Sequence, residues 1–103
     1  MTGTFRLTLA QLNPTLGDLS GNAQAAKAAW EEARAAGAQM LALPEMFLTG
    51  YNTQDLVMKP AFHEAAIAAV ETLARDCADG PAIAIGAPAL EGGKLYNAYY
   101  ILE

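Results

Sequence analysis

The residue of this sequence best placed for chemistry is Glu45, which directly follows a short apolar run and its terminating proline, Leu43-Pro44. Met40 to Leu43 is wholly apolar, as expected of a strand covered on both faces. A carboxylate just past such a strand stands at its carboxyl end, where open α/β sheets form their ligand crevices. Partial burial there would raise its proton affinity and suit it to work as a general base. A solvated loop glutamate is the plain alternative, because loops are polar for generic reasons.

The other reactive residue types read as structural. Cys77 closes an apolar helical stripe four residues after Leu73, so it reads as a small buried core residue. A thiol in apolar surroundings has a raised pKa and is inert. Lys94 sits in the Gly92-Gly93 turn, where a solvated lysine is ordinary. His63 has no Cys or second His at ligand spacing, which argues against a metal site. The Gly92-Gly93 pair lacks the strand-to-helix context of a phosphate loop. Tyr51, in the irregular stretch after Glu45, is readable as a half-buried loop aromatic with its hydroxyl exposed.

Composition narrows the function classes. The 103 residues allow one small domain, and 53% apolar residues are enough to build a core. The net charge is −5, from 11 acidic against 6 basic residues, with no basic cluster. Nucleic acid and anionic membrane surfaces are therefore excluded as partners. A single cysteine cannot form an internal disulfide, and the N-terminus lacks the pattern of a signal peptide. No apolar run approaches the roughly 20 residues that cross a bilayer. These features imply a cytoplasmic chain.

The elements that must position Glu45 follow from periodicity. Phe5 to Leu12 reads as a first strand, ended by Asn13-Pro14. Asn22 is a candidate N-cap for a helix over Ala23–Ala36, with Ala26, Trp30, Ala33 and Gly37 on one stripe. Met40–Leu43 is the second strand. Glu45 to Pro60 is irregular, with a helical turn expected near Asp55–Met58. Ala61–Cys77 is a second helix, its stripe Phe62, Ala66, Ala69, Leu73 and Cys77. Ala82–Ala87 is a third strand, and Glu91-Gly92-Gly93-Lys94 turns into a fourth over Leu95–Leu102. Strands alternating with helices predict an α/β fold, its sheet parallel except for a final antiparallel pair. Tyr96, Tyr99 and Tyr100 fit packing at a sheet edge or a subunit contact.

Several strings in this order resemble the nitrilase, or carbon-nitrogen hydrolase, superfamily. Leu43-Pro44-Glu45-Met46-Phe47-Leu48-Thr49-Gly50-Tyr51 resembles its glutamate motif, and Ala10-Gln11-Leu12-Asn13-Pro14-Thr15-Leu16-Gly17-Asp18 its first strand and loop. Ala87-Pro88 and Leu95-Tyr96-Asn97-Ala98-Tyr99 fit the same layout. Gln11 to Asp18 and Phe47 to Leu56 look like the glutaminase domain of the NAD synthetase branch. The resemblance implies the N-terminal half of a nitrilase-type α-β-β-α sandwich, a mostly parallel sheet with two helices on one face. It also implies a Cys-Lys-Glu amidase in which the thiolate attacks the side-chain amide of glutamine. Glu45 matches the general base and Tyr51 a residue near the glutamine pocket. The family's lysine and cysteine would fall beyond Glu103, so neither Lys94 nor Cys77 matches them.

Residues 1–103 are therefore expected to be a partial glutamine amidohydrolase domain, inactive alone. Glu103 follows the fourth strand with no closing element, an open edge that reads as truncation. The resemblance implies that ATP and Mg²⁺ serve a synthetase domain absent from these residues, and that the parent protein is a homo-oligomer. The alternatives are a free-standing amidase for a small amide and a non-catalytic interaction module.

Overall fold

A computed structural model describes residues 3–50 and 54–103, with only the backbone described at positions 54 and 55. The elements are β1 (Leu7–Leu9), α1 (Leu19–Ala35), β2 (Met40–Ala42), α2 (Pro60–Asp76), β3 (Ala82–Glu91) and β4 (Lys94–Leu102). A short 3-10 helix, Gln54–Met58, precedes α2. The four strands form one sheet in sequence order. β1, β2 and β3 run parallel, while β3 and β4 form an antiparallel hairpin, the topology expected from the alternation of elements. Two successive right-handed crossovers in one direction place both helices on the same face, where they pack against each other.

The helix face holds the core. Leu41 and Ile83 are fully buried and share that face through their register, with Ile85 next along β3. Ala26, Ala33 and Trp30 of α1 meet them, as do Val70, Leu73 and Cys77 from the α2 side. Small alanines let α1 lie close to the sheet, and Trp30 fills the remaining depth. Its indole N–H, which needs a partner once buried, donates to the Pro81 carbonyl at 2.8 Å. The α2 stripe differs from expectation at its start: His63 and Val70 are buried, while Phe62 and Ala69 are only half-buried. His63 bonds the Val57 carbonyl through Nδ1 at 3.0 Å, which ties α2 to the 3-10 turn and gives the ring a structural role.

The start of α1 also departs from expectation. Asp18, not Asn22, is the cap, and the helix begins four residues before Ala23. Asp18 Oδ1 accepts the Gly21 N–H at 2.9 Å, so the turn-forming Ser20-Gly21 pair is tolerated in the first helical turn. The far end follows expectation. Gly37 and Ala38 donate to the Arg34 and Ala33 carbonyls at 3.1 and 2.9 Å, closing the helix. β1 is shorter than Phe5–Leu12 because its partner β2 offers three residues to pair with. β3 runs past Ala87 to Glu91, and Pro88 fits there because β2 has ended and β3 keeps one sheet neighbour.

The opposite face of the sheet is exposed along β1 and at the end of β4. Leu7, Leu9 and Ile101 share that face by register and are 48%, 70% and 52% exposed.

Candidate active site

Glu45 belongs to a turn that leaves β2 and folds back across β3. Leu43 extends the β2 ladder by donating to the Ala84 carbonyl at 2.8 Å. Pro44 then ends the strand, and residues 45–49 form the turn. Phe47 and Leu48 are fully buried, so apolar anchors hold the turn down. Leu48 N–H donates to the Gly86 carbonyl at 3.1 Å, which fastens the turn to β3. Gly86 is what permits this approach. A Cβ at that position would stand 2.2 Å from the Met46 nitrogen and 2.8 Å from the Glu45 Cα. Any side chain at 86 would lift Glu45 off the sheet.

The turn also stores backbone strain. Met46 has φ 53°, a left-handed conformation that costs a non-glycine residue about 1–2 kcal/mol. Its carbonyl accepts the Gly50 N–H at 2.9 Å, which closes the turn. Strained residues beside a strand-end carboxylate are a feature of functional sites.

Two loops brace each other beneath the turn. Asn22, buried on α1, donates to the carbonyls of Leu48 at 2.9 Å and Thr15 at 2.8 Å. Its own Oδ1 accepts the Thr15 N–H at 2.8 Å. Gly17 donates to the Thr49 carbonyl at 2.8 Å. Gly50, with φ 81°, lies against the Leu16 backbone, where a Cβ would come within 2.7 Å of the Leu16 Cα. The Asn13–Gly17 loop and the Glu45–Gly50 turn thus form one unit, stitched by a side chain read from sequence only as a helix cap.

β4 supplies the third wall. Tyr99 pairs with Gly86 and Asn97 with Pro88, so both share the face over which the turn lies. The Tyr99 hydroxyl donates to the Leu43 carbonyl at 2.7 Å. Burial pushes the Tyr99 phenol above its usual range, so it remains a donor at neutral pH. Asn97 Nδ2 donates to Glu45 Oε2 at 2.9 Å. The carboxylate itself is exposed, not partly buried as its position had implied. A recess of about 180 Å³ adjoins it, lined by Met46, Val57, Pro88, Tyr96 and Asn97 among others. Larger grooves lie along the helices, about 530 Å³ between α1 and α2 and about 640 Å³ beside β1, and neither is lined by Glu45 or Asn97.

The remaining candidates fall elsewhere. Cys77 is buried in the core cluster at the end of α2, and it makes no described contact with Glu45. Desolvation raises its thiol pKa, which the nearby Lys27 only partly offsets. Lys94 is exposed at the hairpin, paired in register with Glu91. Tyr51 lies outside the described residues. Among the described residues no group of three His, Cys, Asp or Glu could hold a metal ion, and no helix is long and apolar enough to cross a membrane.

A family model for carbon-nitrogen hydrolases matches residues 6–103. The chain belongs to the carbon-nitrogen hydrolase family. It is 58% identical over 103 residues to the glutamine-dependent NAD(+) synthetase of Rhodobacter capsulatus, covering 100% of this chain and 19% of that protein. The glutamine-dependent NAD(+) synthetase structure from Cytophaga hutchinsonii superposes with a TM-score of 0.90 at 33% identity, over 98% of this chain and 17% of that one. A Nesterenkonia sp. AN1 amidase variant, with acrylamide added at its active-site cysteine, superposes with a TM-score of 0.73 at 25% identity. That match covers 95% of this chain and 44% of the amidase. The chain thus spans about one fifth of the length of the NAD synthetases it matches. Its four strands and two helices correspond to part of the carbon-nitrogen hydrolase fold, the α/β class expected from sequence.

Proposed function

We propose that residues 1–103 are the front part of a glutamine-hydrolysing domain whose ammonia feeds ATP-dependent NAD synthesis from nicotinic acid adenine dinucleotide. The observation that carries this reading is the placement of Glu45. A carboxylate on a strained turn at the carboxyl end of β2 is bonded by β4, in a chain alike over its full length to glutamine-dependent NAD synthetases. In the proposed reaction Glu45 takes the proton of a cysteine thiol, and the thiolate attacks the carbonyl carbon of the glutamine side chain. The C–N bond breaks, Glu45 returns the proton to the departing nitrogen, and ammonia leaves a thioester. Glu45 then activates water to release glutamate. A lysine stabilises the oxyanion. Cysteine and lysine are both proposed to come from chain beyond Glu103, and Tyr51 to line the glutamine pocket.

The face bearing Leu7, Leu9 and Ile101 would take the second sheet of the sandwich, which removes its apolar surface from water. ATP and Mg²⁺ are proposed to serve a synthetase domain outside residues 1–103. The parent protein is proposed to work in the cytoplasm as a homo-oligomer. The test is an assay of the full-length protein with ATP, Mg²⁺ and nicotinic acid adenine dinucleotide. The expected result is NAD formation with one glutamine hydrolysed per NAD. Turnover of small amides with no glutamine-dependent NAD formation would identify a free-standing amidase instead, a reading the Nesterenkonia likeness keeps in view.

A further inference from the structure

Glu45 opens the 45–49 turn and is exposed, and a glutamate side chain has several torsions whose rotamers a directional bond can select. A general base must meet its proton within hydrogen-bond reach. β4 supplies such a directional guide from a position 52 residues away in sequence. An ionised carboxylate can only accept hydrogen bonds, and within the Asn97 side chain only the amide nitrogen can donate. The 2.9 Å contact between Asn97 Nδ2 and Glu45 Oε2 therefore fixes the orientation of both groups. It also engages one carboxylate oxygen by name, Oε2, and orients Oε1 about the same bond.

The backbone reinforces the guide. Asn97 and Tyr99 are two residues apart on one face of β4, just as Leu43 and Glu45 are two residues apart on the chain they contact. Tyr99 holds the Leu43 carbonyl, and Asn97 holds the Glu45 carboxylate. Since β4 is a regular strand hydrogen-bonded along its length to β3, the pair forms a rigid two-point clamp. The third fixed point is the seat of the turn on Gly86, directly opposite Tyr99 in the ladder.

We propose that Asn97 is a positioning residue for the reaction: its amide donates to Glu45 Oε2 and holds the carboxylate in the orientation from which it takes the thiol proton. This inference rests on the glutaminase reading of Glu45. Because the bond is made to the base and not to glutamine, its loss slows the chemical step while substrate binding is retained. A carboxylate in place of the amide does worse than no side chain at all, since it removes the donor and sets a like charge against Glu45. A merely structural role predicts the reverse order, because aspartate preserves the shape of asparagine and alanine does not.

The experiment compares full-length Asn97→Ala, Asn97→Asp and Asn97→Ser with wild type for glutamine-driven turnover. Ammonia-driven NAD formation serves as the control for folding. Asn97→Ala is expected to lower kcat roughly ten- to hundredfold, as for loss of a bond to a charged group, with KM for glutamine within about twofold. Asn97→Asp falls below Asn97→Ala, and Asn97→Ser, which keeps a donor at shorter reach, recovers part of kcat. Asn97→Asp at or above Asn97→Ala, or a kcat within about twofold of wild type in both, overturns the role of Asn97. If a variant loses its ammonia-driven rate as well, Asn97→Ser decides: kcat at the wild-type level there overturns the role, and a reduced kcat at constant KM supports it. Glu45→Gln is run alongside. Full activity in that variant removes the glutaminase reading itself, whereas loss in Glu45→Gln with none in the Asn97 series removes only the clamp.

Discussion

The helix face of the sheet and the turn at the carboxyl end of β2 are built on different principles. On the helix face, stability comes from many small, non-directional contacts: alanines, Leu41, Ile83, Ile85 and one tryptophan. At the carboxyl end of β2, beyond the buried Phe47 and Leu48, a handful of directional contacts fix one turn. These are the Gly86 seat, the Met46 conformation, the Asn22 staple and the bonds from Asn97 and Tyr99. Packing on the helix face tolerates substitutions that keep shape and volume. The turn depends on single atoms, so loss of one contact changes where a carboxylate points. The helix face builds the core, and the turn sets where Glu45 sits.

Substitutions in each region sharpen this contrast. Trp30→Ala on the helix face is expected to have the largest effect on stability, about 3–5 kcal/mol. Chemical denaturation of the full-length protein measures it. At temperatures where the variant remains folded, its kcat should stay near wild type. Gly86→Ala should invert that pattern. Overpacking costs only about 1–3 kcal/mol, but the Cβ meets the Met46 nitrogen and displaces Glu45, and a shift of about 1 Å at a reacting group costs on the order of a hundredfold in rate. Equal losses of kcat in the two folded variants would erase the distinction.

Alkaline titration is the smallest effect and touches both regions. Burial raises the Cys77 thiol in the core and the Tyr99 phenol beside the turn. Each group therefore gives up its proton more readily in the unfolded chain than in the folded one. Its contribution to stability is complete below its unfolded pKa and is lost as pH rises toward the folded value. Stability should thus begin to fall above about pH 9, where a free thiol ionises, and fall further above about pH 10. Denaturant midpoints measured from pH 7 to 11 check this. Cys77→Ala should remove the earlier part of the decline and leave the later part.

The helix face was legible in the sequence because its signals are local. Helical spacing in Ala26, Trp30 and Ala33, and again in Ala66, Leu73 and Cys77, marked residues that are indeed buried. The strand directions followed from the alternation of strands and helices. The Leu43-Pro44-Glu45 string marked the strand end, and the structure places Glu45 there. What surrounds Glu45 was not legible, because its partners lie far away along the chain. Asn97 and Tyr99 contact residues more than 50 positions away. Asn22 bonds Leu48 across 26 positions, and from local pattern alone it read as a helix cap. One signal was available: a lone glycine at 86 inside an otherwise apolar strand often marks a close backbone approach. The left-handed Met46 left no trace in composition, since methionine rarely takes that conformation.

The assignment of Glu45 as the general base is tested most directly by Glu45→Gln in the full-length protein, with NAD formation measured from glutamine and from ammonia. Glutamine keeps the size of the side chain and removes its ability to take a proton. Glutamine-driven turnover is expected to fall by at least about a hundredfold, while the ammonia-driven rate stays within about twofold of wild type. Glutamine-driven turnover at the wild-type level would contradict a catalytic role for Glu45 and return it to an ordinary loop carboxylate.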